Sequence, residues 1–267
     1  MNSVHDPFRI PYQACPVCGG EPEWLRNQEW TGRPDYQEPL TPIISWMQCR
    51  NCEHQFTSGY HTPEALDIIF GRAQSSQTPV GMSGADFEFG RTSWASLVEK
   101  VSALVAEGRW LDVGAGSGLL LTLAGECGFD AVASEIRPDV AQGLRNIGIE
   151  VLEDTIENLA EKAPGSFDVI SMCDVLEHVA FPLPTLDAVI RLLRPGGVLV
   201  ISCPNRESKA WTSLSEIHEN PYWAEIEHFH NFSFRQIKGW LLERGFTRVH
   251  CGVSPRYRLC MEVVAVF

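Results

Sequence analysis

The sequence predicts an α/β protein, a parallel sheet with helices on both faces, preceded by a small cysteine-rich module. Three observations carry this reading. From Trp94 onward, short apolar runs alternate with stretches of helical period: "RWLDVG", "LLLTLAGECG", "DAVASEI", "PDVAQGLRNIG", "EVLED", "FDVISMC", "LPTLDAVIRLLRPGG" and "VLVISCP". Such alternation gives parallel strands joined by crossover helices. The first strand-to-helix junction is a glycine loop, and the chain before His61 is rich in Pro, Gly, Trp and Cys without helical period.

In chain order, the N-terminal module (1–62) shows short strand-like runs such as "IISWMQC". Pro63 opens a short helix over Glu64 to Gly71. The polar stretch "RAQSSQTPVGMSGADFEFG" then reads as a linker or a lid over a ligand, so residues 63–93 form a connecting segment. In "SWASLVEKVSALVAEG" the apolar residues recur at helical spacing and stop at Gly108. The remaining domain (94–267) closes with a helix at "SFRQIKGWLLERGF", a strand around "TRVHCGV" and a last strand at "LCMEVVAVF".

A chain of 267 residues, 44% hydrophobic, can bury a full core, which excludes a mostly disordered protein. No apolar run is long enough to span a bilayer, and Met1 to Tyr12 lacks an export-signal pattern, so a soluble cytoplasmic protein is expected. Nine cysteines at this length do not make a secreted disulfide scaffold. The formal net charge of -13 disfavours a nucleic-acid backbone as partner, because such binding neutralises phosphates with a Lys/Arg surface. Oligomeric state is left open.

Cys15 and Cys18 in "CPVC" are matched by Cys49 and Cys52 in "CRNC". Two such knuckles predict a tetrahedral zinc site, each turn presenting two thiolates to one ion. A lone pair before a helix would suit redox chemistry, whereas Gly19 and Gly20 suit a tight knuckle turn. Four thiolates leave no position for water, so the metal is expected to be structural. The other five cysteines read as core thiols.

In "WLDVGAGSGLLLTLA", Gly114, Gly116 and Gly118 allow a tight turn and close approach of backbone to a ligand. Leu119 stands where a dinucleotide pattern has its final glycine. Asp112, two residues before the loop, suits an amine-bearing or cationic ligand better than a pyrophosphate. Glu135 ends "AVASEI", where a carboxylate can accept both ribose hydroxyls. Asp154, with Thr155 and Ile156, follows "EVLED" at a place fit to bond an adenine amine and cover its ring.

At these residues the chain resembles class I S-adenosylmethionine-dependent methyltransferases, from about Trp94 to Phe267. The segments that carry the resemblance are "LDVGAGSG", "SEIRPD", "EDTIENL", "FDVISMCDVLEHV", "LLRPGGVLVISCPN" and "EHFHNFSFRQIKGWLLERGF". It implies a seven-stranded Rossmann-like sheet. It further implies that Asp112 and Gly114, Ala115, Gly116 and Gly118 hold the methionine part, Glu135 and Ile136 the ribose side, Asp154 and Thr155 the adenine, and backbone near Cys173 the cofactor's amino group. Arg91 is a candidate for the methionine carboxylate.

Methyl transfer from a sulfonium is a displacement that requires alignment, plus a base when the acceptor must lose a proton. Base candidates are His178, His228 and His230, with Asp174 and Glu177 alongside. "DVLEHV" is also similar to the carboxylate-x-x-Glu-His pattern with which ubiquinone-type and small-RNA O-methyltransferases bind a divalent cation, although Asp174 stands where that pattern commonly has Glu. The three- and four-residue spacing would put Asp174, Glu177 and His178 on one helix face. The long connection "NRESKAWTSLSEIHENPYWAEIEHFHN", with Trp211, Tyr222 and Trp223, is the expected acceptor pocket, together with Phe87 and Phe89. The expected activity is methylation of a small-molecule acceptor, O-methylation favoured over C or N. An RNA methyltransferase and a catalytically silent scaffold with a zinc-ribbon interaction module are the alternatives.

Overall fold

A computed structural model describes residues 6–34, 36–73, 84–257 and 259–267, with backbone alone for 71–73 and 84–87. Among these the chain divides into two units, one of residues 6–73, 177–183 and 204–233, the other of 84–176, 184–203 and 234–267.

In the first unit, β1 (Arg9–Pro11) pairs antiparallel with β5 (Gly59–His61). A second sheet runs β11-β4-β3-β2, from β2 (Pro22–Glu29), β3 (Ile43–Cys49), β4 (Gln55–Thr57) and β11 (His230–Asn231). β11 comes from the long connection read as an acceptor pocket, and it pairs antiparallel with β4, His230 opposite Phe56. The rest of that connection includes a helix over Lys209–Glu216 and a 3-10 turn at Pro221–Ala224. Trp211 and Trp223 are buried in one core with Trp30, Leu40, Ile44 and Trp46. The pocket expectation is thereby corrected for these two side chains. The Trp46 indole N–H donates to the carbonyl of Trp223 (2.9 Å), and the two rings meet edge to face, an arrangement that buries the large apolar bodies and satisfies the polar atom.

α1 (Pro63–Ala73) covers the predicted short helix. The linker expectation fails at its far end. α2 (Gly84–Ser102) begins ten residues before Trp94, running through Gly90 as a helix whose last turns bury Leu97, Val98 and Val101. Burial of that face outweighs the turn propensity of the glycines. Phe89 is exposed on this helix, the side chain of Phe87 lies outside the described residues, and so do residues 74–83 of the predicted lid.

The second unit is built on β6 (Gly108–Val113), β7 (Phe129–Ser134), β8 (Glu150–Leu152), β9 (Phe167–Cys173), β10 (Leu193–Pro204), β12 (Arg248–Val253) and β13 (Cys260–Val266), in the order β12-β13-β10-β9-β6-β7-β8. β10, β9, β6, β7 and β8 are parallel, and β12 is antiparallel to β13. Strands such as β9 are buried on both faces, which is why "FDVISMC" is a continuous apolar run. Strand order reverses beside β6, and ligands of open α/β sheets bind in the crevice at the carboxyl ends of such strands. α3 (Leu119–Glu126) starts at Gly118, α4 (Pro138–Asn146) at a proline in its first turn, and α5 (Ile156–Lys162) at Thr155, whose hydroxyl accepts from the Asn158 N–H.

Gly118 is a position where glycine is mandatory. Its φ is +74°, and a Cβ would lie 2.6 Å from a Leu144 methyl. Gly118→Ala is expected to destabilise the protein by about 2–4 kcal/mol, left-handed strain plus overpacking, read as a lower urea midpoint.

Candidate functional site

The glycine loop, Asp112, Glu135, Asp154 and Cys173 all lie at the carboxyl edge of the second unit's sheet. Asp112 is in register with Ser171 of the neighbouring strand β9. The Ser171 hydroxyl donates to the Asp112 carboxylate (2.6 Å) and accepts from the Trp110 indole N–H (2.9 Å). Burial pushes the Asp112 carboxyl up to about 7, opposed by the Ser171 hydrogen bond and by Arg256. Gly114 and Gly116 both have positive φ, and a Cβ on Gly116 would meet only the Gly114 carbonyl, at 4.0 Å. At Gly116 the turn thus keeps its surface open beside a buried carboxyl, whereas a Cβ on Gly114 would lie 3.0 Å from a Val175 methyl.

Glu135 is buried, and its carboxylate accepts from the backbone N–H of Arg137 and from the Arg137 guanidinium at both oxygens, all within 3.0 Å. Ile136 next to it is 72% exposed, an apolar surface at the strand end. Asp154 accepts from the Thr155 N–H, the Asn158 amide and Lys162, and the Lys162 and Asn158 bonds bring its carboxyl down to about 2. Arg91 makes two hydrogen bonds to Glu126 of α3, 2.9 and 2.8 Å.

At the end of β9, Cys173 is half-buried and its thiol is pushed well above the usual range by burial. Asp174 has φ +57°, and the chain continues into a 3-10 turn, Leu176–His178, in place of the helix on which the spacing argument relied. Asp174 is engaged instead by Arg256 (2.5 Å), which lies 3.9 Å over the Trp94 ring. Sequence reasoning missed Arg256. It is 82 positions from Asp174, and no local spacing links them. Ser171 was missed for the same reason, being 59 positions from Asp112, whereas Arg137 is only two residues from Glu135 and was overlooked beside it.

In the first unit, Glu177, His178 and His228 bring one ligand atom each within 4.8 Å of one another. The His178 and His228 rings meet edge to face at 4.7 Å, and His178 Nδ1 lies 3.1 Å from the Glu227 carbonyl. His228 is 6% exposed, its Nδ1 has no hydrogen-bond partner, and burial, with His178, Arg33 and His230, holds it well below the usual imidazole range. A neutral imidazole is the form that ligates metals. His230 does not join the cluster. It is fully buried, with Nδ1 on His54 and Nε2 on the Val179 carbonyl, and burial takes it down to about 4. As a free base it is therefore unsuited.

Cys15, Cys18, Cys49 and Cys52 converge, their sulfurs all within 4.8 Å of one another. The Cys15–Cys52 and Cys18–Cys49 separations are 3.8 and 3.4 Å, against about 3.8 Å for an edge of a tetrahedron with metal–sulfur bonds of about 2.3 Å. A Cβ on Gly20 would fall 2.8 Å from the Cys49 sulfur, so the cradle admits only glycine. Burial pushes the Cys49 thiol up, but N–H bonds from Cys52 and Asn51 and side-chain bonds from Cys18 and Cys52 outweigh it and bring it to about 7. The donor set fits a four-thiolate ion site. Of the cysteines read as core thiols, Cys203 and Cys260 are buried and Cys127 is exposed.

The raised Asp112 pKa has a sign. The native carboxyl holds its proton up to about 7, whereas the unfolded one releases it near 4. Asp112 therefore makes stability fall as pH rises from about 4 to 7. Asp112→Asn is expected to flatten that slope in the ligand-free protein, measured as Tm against pH.

Comparison with known proteins bears on the family and the fold. A family model described as a methyltransferase domain matches residues 87–251. The ubiquinone biosynthesis O-methyltransferase of Xanthomonas campestris pv. campestris is 35% identical over 109 residues, 39% of this chain and 46% of that protein. That of Pectobacterium carotovorum subsp. carotovorum is 32% identical over 107 residues, 38% and 45% of the two chains. The chain thus spans about half the length of these relatives. The Burkholderia thailandensis 1,6-didemethyltoxoflavin-N1-methyltransferase, solved with 1,6-didemethyltoxoflavin and S-adenosylhomocysteine, superposes with a TM-score of 0.55 at 16% identity, over 81% of this chain and 96% of that one. With its family match over more than half its length, its sheet order and its glycine loop, the chain belongs to the methyltransferase domain family and has the class I, S-adenosylmethionine-dependent fold.

Proposed function

We propose that the protein transfers a methyl group from S-adenosylmethionine to a small-molecule acceptor, oxygen favoured over carbon or nitrogen, and that zinc occupies the four-thiol site as a structural ion. The observation that carries the reading is the open glycine turn beside the buried Asp112, with Glu135 and Asp154 at the next two strand ends of the same sheet. The cofactor, when bound, supplies an electrophilic methyl on a sulfonium.

In this reading Asp112 and the turn Gly114, Ala115, Gly116 and Gly118 hold the methionine portion, and a cationic ligand beside Asp112 favours its ionised form. Glu135 takes the ribose hydroxyls with Arg137 sharing or yielding the carboxylate, Ile136 lies against the sugar and base, and Asp154 with Thr155 meets the adenine amine. Backbone at Cys173 takes the cofactor's amino group. To serve the carboxylate, Arg91 would exchange its bonds to Glu126 for it. Asp174 is a candidate for orienting the acceptor through Arg256 rather than for taking a proton. His178 receives the acceptor's proton, with the buried, neutral His228 packed against its ring. The small-molecule acceptor is supported by the names of the relatives and by the acidic balance of the chain.

A second reading of the same cluster has its own support. Glu177, His178 and His228 offer one oxygen and two nitrogen donors at metal-binding separation, a set that would hold a divalent cation and lower the pKa of an acceptor hydroxyl. A chelator that leaves thiolate-bound zinc in place would then abolish transfer, and Mg²⁺ or Mn²⁺ would restore it.

Calorimetry with S-adenosylhomocysteine is the primary test, and absence of binding would overturn the proposal. Asp112→Ala is expected to weaken binding about tenfold or more, the loss of one charge-assisted contact. His228→Ala is expected to keep the affinity and lose turnover. Metal analysis is expected to find one zinc per chain, lost in Cys49→Ser.

A further inference from the structure

The four-thiol module has a feature that metal binding alone does not require. His54 follows Cys52 by two residues, and its carbonyl accepts from the Cys49 N–H (2.9 Å), so its backbone is part of the second knuckle. Its side chain is fully buried, stacked on Phe56 and Phe232 at ring separations of 5.9 and 5.4 Å. His54 Nε2 lies 3.0 Å from His230 Nδ1, and His230 Nε2 lies 2.9 Å from the carbonyl of Val179, the residue after His178.

The hydrogens in this chain are determined by its end. A carbonyl can only accept, so His230 Nε2 carries the proton. In the neutral ring Nδ1 is then the acceptor, and His54 Nε2 must donate to it. The result is a directional path from the knuckle through two imidazoles to the backbone beside His178. Two further bonds fasten the same turn within this unit. The Phe229 N–H donates to the Glu177 carbonyl (2.8 Å), and the Tyr12 hydroxyl donates to the Ala180 carbonyl (2.7 Å). Tyr12 precedes Cys15 by three residues and packs edge-on against Phe56. The Ala180 carbonyl is thus gripped directly from the cysteine module and the Val179 carbonyl through His230 and His54, while His228 lies two residues before His230, which opens the strand added to the module's sheet. An apolar pair would fill the same volume without desolvating four ring nitrogens, whereas hydrogen bonds demand one arrangement.

We propose that His54 and His230 are positioning residues, and that the task of the zinc module is to set the Glu177–His178–His228 cluster through them. The proposal rests on the reading of that cluster as the acceptor-side machinery. It makes the metal a structural support for chemistry elsewhere in its own unit, with no partner protein required.

The test uses the full-length, zinc-loaded protein and ring ¹⁵N–¹H spectroscopy. In the parent, His230 is expected to show the Nε2–H tautomer, with nitrogen–nitrogen coupling to His54. The opposite tautomer or no coupling would overturn the proposal without any variant. His54→Phe keeps the stacked packing and removes the donor. It is expected to retain its zinc and S-adenosylhomocysteine affinity within twofold, while the His178 and His228 ring resonances shift or broaden. His54→Gln, which can donate from its amide, is expected to restore them. Unchanged His178 and His228 signals in His54→Phe, or no rescue by Gln, would refute the positioning role. Failure of the function itself reads differently, as loss of S-adenosylhomocysteine binding in the parent.

Discussion

The second unit depends on one hydroxyl. Ser171 joins Trp110 and Asp112, on β6, to β9 at the point where strand order reverses. A buried carboxylate there would be costly if unpaired, and the serine makes it tolerable while the indole directs the serine. With Asp112 held, the backbone turns outward through Gly114 and Gly116 and re-enters the fold at Gly118, packed on Leu144. The strand end, the loop and the start of α3 are consequences of satisfying that group at that depth.

The first unit solves a different problem. A short ribbon has too little apolar surface for a core of its own, and it borrows one. Trp211, Trp223 and Ile226 from the connection after β10 complete the cluster around Trp30 and Trp46, and β11 extends the sheet. The same borrowing buries His228 and His230 and gathers Glu177, His178 and His228. Stability and site formation thus share one set of contacts. Arg9 belongs to the same network, bonding Thr57, the Gly59 carbonyl and the Ile226 carbonyl from a buried position.

Much of the placement of the candidate site was legible because its residues sit at positions that pattern alone can locate. A strand end is where an apolar run stops, and Asp112, Glu135 and Asp154 stand at such stops. Two CxxC pairs declare their convergence by spacing. The errors arose where local signals compete with burial. Gly84 and Gly90 read as loop residues, yet they lie in α2. Helical spacing after β9 put Asp174 with Glu177 and His178, whereas the left-handed Asp174 and a 3-10 turn break that period.

The sequence by itself determined the alternating strands and helices, the glycine turn with its acidic strand ends, and the pairing of the four cysteines, because each is written in short-range periodicity or in a fixed spacing. Only the tertiary structure decided that Arg256 meets Asp174, that Ser171 meets Asp112, and that His230 faces His54 and not the cluster. These choices are made by strand order, by which face of an added strand is buried, and by where a charge can find its partner once water is excluded. None of them leaves a trace in the spacing of residues along the chain.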